Sequence, residues 1–351
     1  MKKIIRTLFP AVAMAAGLML LGRMTQAETL NFQTLNNAGD PFFNQLLGIN
    51  NAGTIAGYFG DGTVQVNQGY TLVPPTSYTN ENFPGSVQTQ VVGINNSVTP
   101  QTTVGFYIDG NGNNFGFVDL GGTFTQVNDP STGTFNGITT NQLLGVNGND
   151  VAAGFYVDSS GLDHGYLYSL SGAPTFTAVT LPSTFGAAST VATGINDGGV
   201  IAGFFTDGTG AMHGFIDNAG TTFTQLDDPS LNATNTMVLG LNNEGQFVGS
   251  YVDGNGETQG FIYNIGTNSW QTVSDPNSSA IASFGVTGTT INGINDLGDV
   301  VGFYSDGLPA HGVNGFLATP TPEPASFFPI LLGGVFAMGF RRLMMRRRTS
   351  Y

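Results

Sequence analysis

Two short loops carry the oxygen-rich spacing that a hard cation needs, Asp109-Gly110-Asn111-Gly112-Asn113 and Asp253-Gly254-Asn255-Gly256-Glu257. Oxygen ligands at alternate positions of a glycine-bent loop are how Ca²⁺ is held. Asp109, Asn111 and Asn113, with Asp253, Asn255 and Glu257, are therefore two candidate calcium sites, although the full EF-hand loop with its terminal bidentate glutamate is absent. The competing reading is an Asx turn, in which the aspartate hydrogen-bonds its own backbone and reverses the chain. Recurrence of the same aspartate as Asp61 and Asp306, where the other ligands are missing, favours the turn.

Other chemistry is sparsely provided. His164, His213 and His311 stand in three different copies of a repeat, and a zinc site would need them to converge. Glycoside hydrolysis needs two carboxyl groups roughly 5 to 10 Å apart, a condition that some pairs in so acidic a chain meet by chance. The chain has no cysteine, which removes disulfides, thiol nucleophiles and Cys-ligated metals. No catalytic residue and no cofactor other than calcium is assigned.

Charge is more decisive. All nine Lys and Arg residues lie outside 28–321, whereas 22 of the 23 Asp and Glu residues lie inside it. A body with about −22 formal charge and no permanent cation repels phosphate backbones and anionic headgroups, which excludes nucleic acid as a partner. Enzymes that clamp an anionic substrate with arginines, such as sialidases, are excluded on the same ground. Stability must come from burial and backbone ladders, because Lys and Arg salt bridges are unavailable.

The elements that position these residues are written as a repeat. Its anchor is a Gly-aliphatic-Asn triplet at Gly48, Gly93, Gly145, Gly194, Gly240 and Gly293, with spacings of 45, 52, 49, 46 and 53 residues. A second glycine follows, at Gly57, Gly105, Gly154, Gly203, Gly249 and Gly302, and four residues later comes an aspartate in every copy. Then come a Gly-aromatic pair and, in most copies, a run such as FTQV at 124–127 or WQTV at 270–273; in the first copy the stretch 78–84 takes its place. Four short antiparallel strands per 40 to 50 residues is the size of one β-propeller blade. The sixth copy lacks a fourth strand, and FQTL at 32–35 stands alone ahead of the first triplet. The sequence thus predicts an all-β, six-bladed β-propeller over 28–320, closed by its N-terminal strand.

The ends read as addresses. Residues 1–27 have the basic start, apolar run and small-residue site, ending at Ala27, of a secretory signal peptide. Residues 321–351 comprise Pro322-Glu323-Pro324, an apolar stretch at 325–340 of membrane-inserting type, and a basic stop beginning at Arg341 and Arg342. This order resembles the PEP-CTERM sorting signal of Gram-negative bacteria, recognised by an exosortase-type membrane protease. The repeats in turn resemble the HAF-type extracellular repeats, through Gly-Ile-Asn, the aromatic strand, Asp-Gly, and His164-Gly165-Tyr166 or His213-Gly214-Phe215, with Gly where that family usually has Ala.

The resemblances imply a non-enzymatic surface or extracellular-matrix protein associated with exopolysaccharide in a biofilm. Its partners would be signal peptidase and an exosortase, and its route would pass through an inner-membrane intermediate to the cell envelope. The alternative reading is a propeller that binds glycan or protein, with calcium as a candidate ligand; a glycoside hydrolase is a third.

Overall fold

The first five repeats fold into four antiparallel strands each, and the sixth into three, because their glycines, asparagines and aspartates interrupt short β-branched and aromatic runs at turn positions. The computed structural model describes residues 29–321 apart from 98–99, 173, 221, 231, 284 and 309–311. Ala27, Pro322, Glu323, Pro324, Arg341, Arg342, the segment 325–340 and His311 lie outside the described residues. Among the described residues no helix is long and apolar enough to cross a membrane.

The six four-stranded sheets are the blades of a propeller. Blade 1 runs Asn44–Ile49, Ile55–Phe59, Gln68–Val73 and Ser77–Asn80 from the axis outward. Blades 2 to 5 repeat that order, with inner strands Gln88–Ile94, Asn141–Val146, Ala187–Ile195 and Thr234–Leu241. Blade 6 takes three strands from the C-terminal end, Thr289–Ile294, Val300–Ser305 and Val313–Pro320, and its outer strand is Leu30–Thr34 from the N-terminus. The register sets Thr34 opposite Phe316 and Leu30 opposite Pro320, so the predicted closure is present. A short hairpin, Thr134–Phe135 with Ile138–Thr139, is inserted between blades 2 and 3 and had no counterpart in the repeat pattern.

The core is divided among the blade junctions. One cluster joins Val104, Val118 and Val127 of blade 2 to Leu143, Ala152 and Tyr166 of blade 3, and similar clusters occupy the other five junctions. The aromatic of each Gly-aromatic pair anchors them: Tyr70, Phe117, Tyr166, Phe215, Phe261 and Phe316 are all fully buried. Each lies directly across the ladder from the second glycine of its repeat, as Gly57 opposite Tyr70 or Gly203 opposite Phe215. That glycine leaves room on both sides: a Cβ added at Gly203 would stand 2.7 Å from the Phe215 ring, and one at Gly57 would stand 2.5 Å from the Gln45 carbonyl.

The triplet glycine has a different cause. In every inner strand the register slips there, between Leu46 and Gly48 in blade 1 and at the corresponding places in the others. This bulge turns one extra residue out of the ladder and bends the strand. Neighbouring inner strands then touch backbone to backbone: a Cβ at Gly93 would lie 2.9 Å from the Gly145 Cα, and one at Gly145 would lie 2.8 Å from the Gly194 Cα.

The triplet asparagine ties the ring together with both ends of its amide. Its Oδ1 accepts backbone N–H groups of its own turn, as Asn242 does from Glu244 (3.0 Å) and Gln246 (2.9 Å). Its Nδ2 donates to the backbone carbonyl of the equivalent asparagine in the next blade. The links run Asn50 to Asn95 (3.2 Å), Asn147 to Asn196 (2.9 Å), Asn196 to Asn242 (3.1 Å), Asn242 to Asn295 (2.9 Å) and Asn295 back to Asn50 (3.2 Å). The sixth link is open, since the Asn95 Nδ2 is buried without a partner.

A second tier of links uses the next residue. The N–H groups of Asn51, Gly148, Asp197, Asn243 and Asp296 donate to side-chain oxygens of Asn96, Asp197, Asn243, Asp296 and Asn51 at 2.7 to 2.9 Å. Blade 3 has Gly148 at this position and therefore offers blade 2 no side-chain acceptor. The junction of blades 2 and 3 thus lacks both axial links.

Three consequences can be measured by thermal or chemical unfolding. Asn242→Asp keeps the turn acceptor but removes the donor to Asn295, and should cost about 1–3 kcal/mol. Gly148→Asn supplies the missing acceptor and should stabilise by up to about 1 kcal/mol; a lower melting temperature would show that the seam serves another purpose. Deleting Glu28–Leu35 leaves blade 6 with an exposed edge, and should remove several kcal/mol, a large part of the ~5–15 kcal/mol of a typical domain.

Candidate functional site

The turns between second and third strands all lie on one face of the ring and carry the six repeated aspartates, each partly exposed. Their geometry is that of the Asx turn. Asp109 Oδ1 accepts the backbone N–H of Asn111 (2.8 Å) and Asn113 (2.9 Å). Asp253 Oδ1 accepts those of Asn255 (2.8 Å) and Glu257 (3.0 Å). Asp158 and Asp207 do the same with the residues two and four positions on.

The second carboxylate oxygen is engaged by a side chain. It accepts from Asn113 Nδ2 at Asp109 (3.1 Å), from Gln259 Nε2 at Asp253 (3.4 Å), and from Asn314 Nδ2 at Asp306 (3.4 Å). At Asp158 it meets His164 Nε2 (2.9 Å). Asn111, Asn255 and Glu257 contribute backbone N–H donors to these turns. Among the described residues no group of three or more His, Cys, Asp or Glu side chains is placed to hold a metal.

In four blades the aspartate holds the third-strand side chain ahead of the Gly-aromatic pair, His164, His213, Gln259 or Asn314, whereas Asp61 accepts from Thr63 and Asp109 from Asn113. In blade 4, His213 stacks on Phe205 with ring centroids 5.1 Å apart, and its Nε2 lies 3.6 Å from Asp207. Its Nδ1 meets Asp227 at 3.0 Å, and Gln225 Nε2 donates to Asp227 at 2.7 Å. In blade 3, His164 stacks on Tyr156 at the same separation, 5.1 Å. The two described histidines sit in separate blades on separate aspartates, so they do not converge.

Protonation follows from these partners. The hydrogen bond from His164, with backbone N–H groups behind it, holds the Asp158 carboxyl down at about 2. At Asp207 the Thr209 hydroxyl and N–H, with the Ala211 N–H, have the same effect, again to about 2. Burial acts in the opposite sense on Glu81, whose carboxyl is pushed up although Thr103 (2.8 Å) and Thr71 (3.0 Å) donate to it.

The second feature is a cavity of about 410 Å³ on the ring axis. The bulged residues Leu47, Val92, Leu144, Thr193, Leu239 and Asn292 form one tier of its wall, and the aliphatic residues of the six triplets form the next. Thr193 spends its hydroxyl on the backbone, at 2.9 Å from the Val238 carbonyl. Beside these tiers the wall includes Phe155, Gln142 and Asp163 on the face of blade 3 that meets blade 4, and Phe204 and Val191 on the face of blade 4 that meets blade 5. Asp163 is the one carboxylate that lines the cavity. Burial pushes its carboxyl up, partly offset by nearby His164 and a hydrogen bond with Ser189.

Sequence reasoning missed Asp163, Phe155 and Phe204, and the Asp227–Gln225 support of His213. The copies have Asn67, Asn114, Met212, Thr258 and Val313 where blade 3 has Asp163, so the acid is a departure from the repeat. That departure is the signal that could have found it.

No family model matches the chain, and no curated protein matches it. Among solved structures, the SapL1 lectin in complex with alpha methyl fucoside is 12% identical, with 81% of this chain and 98% of that chain covered and a TM-score of 0.48. The six-bladed fucose lectin of Aleuria aurantia is 13% identical over 85% and 97% of the two chains, with a TM-score of 0.44. A catalytically inactive virginiamycin B lyase from Staphylococcus aureus is 11% identical over 84% and 100%, with a TM-score of 0.41. At these identities the likeness concerns the fold alone.

Acid unfolding tests the turn carboxylates. A carboxyl depressed from 3.8 to about 2, as at Asp158 and Asp207, contributes stability that is complete above its unfolded value and lost as pH falls toward 2. The double variant Asp158→Asn with Asp207→Asn should therefore unfold with a flatter pH dependence between about 4 and 2 than the parent protein. An unchanged profile would mean that these turns do not stabilise the native state.

Proposed function

We propose that this is a non-catalytic glycan-binding propeller whose ligand is a neutral, repeating polysaccharide met on the face that carries the aspartate turns. One observation supports this above the others. The same unit recurs in blades 3 to 6 on that face, an Asx-turn carboxylate facing an amide or imidazole of the third strand, as His164, His213, Gln259 and Asn314. Groups fixed in this way can donate to and accept from hydroxyls with little further ordering.

Repetition matches repetition. A ring of equivalent weak sites gains little from a single sugar, but linked sugars raise the overall affinity by roughly 10²–10⁴ through effective concentration alone. The absence of Lys and Arg from 28–321 favours an uncharged polymer over a uronate or sulfate polymer.

Catalysis is a poorer reading of the same residues. His213 has a carboxylate at each ring nitrogen, so no hydroxyl is positioned for it to activate. Asp158 and Asp207, held near 2, are strong acids that stay ionised, whereas a general acid needs a carboxyl raised toward the working pH. The ends of the chain supply the setting of the proposal. With a signal peptide and a tail of PEP-CTERM type, the propeller would be displayed at the cell surface or released into an exopolysaccharide matrix.

Calorimetry with the purified protein should show a neutral exopolysaccharide bound at least about a hundredfold more tightly than its constituent monosaccharide, with no change on replacing calcium by a chelator. Converting the blade 3 and blade 4 units together, Asp158→Asn, His164→Ala, Asp207→Asn and His213→Ala, should weaken the polymer several-fold and leave the monosaccharide affinity per remaining site unchanged. Equal affinity for polymer and monomer would overturn the reading. For the setting, replacing Pro322-Glu323-Pro324 by alanines should leave the protein in the inner membrane at its unprocessed mass; unchanged release would make the tail a plain anchor.

A further inference from the structure

The axial cavity has a chemistry unlike that of the turn face. Its two tiers are aliphatic apart from Thr193, whose hydroxyl is satisfied by the backbone, and Asn292, whose Nδ2 lies 3.5 Å from the Leu46 carbonyl. A wall of leucine, isoleucine and valine offers a polysaccharide nothing to exchange for its hydration, so a hydroxylated ligand would lose hydrogen bonds on entering. An apolar body would gain by burial there. The volume, about 410 Å³, falls within the ~300–1,000 Å³ of small-molecule sites, which pair apolar walls with a few placed polar groups.

The polar groups stand together at one place, between blades 3 and 4. Asp163 and Gln142 are there, with Phe155 beside them on the same face of blade 3. The Phe155 ring and the Asp163 carboxylate favour a cation, the ring through its quadrupole and the carboxylate through its charge. No Lys or Arg exists between residues 28 and 321 to compete for that carboxylate, and the strongly acidic body raises the local concentration of cations.

We infer that the axial cavity is a second binding site, separate from the turn face, for a small organic cation: an apolar body in the aliphatic tiers and an ammonium head against Asp163 beside Phe155. The head would supply what burial denies the carboxylate. Desolvation raises the Asp163 carboxyl, and Ser189 is its one hydrogen-bonded side-chain partner; a neighbouring ammonium favours the ionised form. Blade 3 is the one repeat with an acid at this position, so the site occurs once per ring.

The test compares three probes that share one chain and differ in head charge, n-octylamine, n-octanol and octanoate, titrated into the purified protein by calorimetry in 0.15 M NaCl. Octylamine should bind with a stoichiometry of one per chain and at least about tenfold more tightly than octanol, with octanoate weakest. Asp163→Asn, which keeps the size and the hydrogen-bonding oxygen, should bring octylamine down to the octanol affinity while leaving octanol and the melting temperature unchanged. Equal binding of octylamine and octanol by the parent protein, a preference that survives Asp163→Asn, many weak octylamine sites, or no binding of any probe would each overturn the proposal. None of these outcomes bears on polysaccharide binding by the turn face, so the two readings stand or fall separately.

Discussion

A single amide side chain, used twice, is the constraint on which the ring depends. Each triplet asparagine accepts from its own turn, and all but Asn95 donate to the next blade, so the local hairpin and the inter-blade contact are made by the same group. Aspartate could make the turn alone, because an ionised carboxylate has no donor; glycine could do neither. The glycine two residues earlier is the other half of the arrangement. It permits the inner strands to approach until an amide can span the gap, and a methyl group there would separate the blades. Position along the repeat and position around the ring are thereby locked together.

This explains why a body without salt bridges of the Lys or Arg kind can close. Charge pairs between surface side chains are worth little in any case. Here the junctions are held by six apolar clusters and by backbone-directed amide links near the axis, where most of the triplet asparagines are buried and such links count for more. The outer edge is closed in a different manner, by a strand from the opposite end of the chain whose Phe32 lies 5.4 Å from the Phe316 ring. The axis is sealed locally and the rim is sealed by the longest-range pairing in the molecule.

With the scaffold held from within, the turns on the aspartate face are released from structural duty beyond their own hairpins, and their third-strand neighbours vary from His to Gln to Asn without disturbing the ladder. The axial cavity follows from the same geometry. A bulge in every inner strand turns one extra side chain out of each ladder, and six such side chains line a space that no single blade could form. One site repeats because the repeat makes it; the other is single because a departure from the repeat makes it.

The number of blades, their four strands and their closure were legible in the residues, because β-strand period and turn chemistry are local and the copies reinforce one another. The stray run at 32–35 pointed correctly to blade 6, and Asp109 and Asp253 were readable as turn residues from their recurrence at Asp61 and Asp306. The part played by Asn50, Asn147 or Asn295 beyond its own turn was not legible, since the carbonyl it meets is some fifty residues away along the chain, or on the far side of the ring closure. Nor was the grouping of Asp163 with Phe155 and Gln142 at the wall of the axial cavity, which depends on how the blades meet around the axis. Sequence determines what is periodic along the chain; only the tertiary structure decides what meets across a junction, because inter-blade distance is set by packing and has no period of its own.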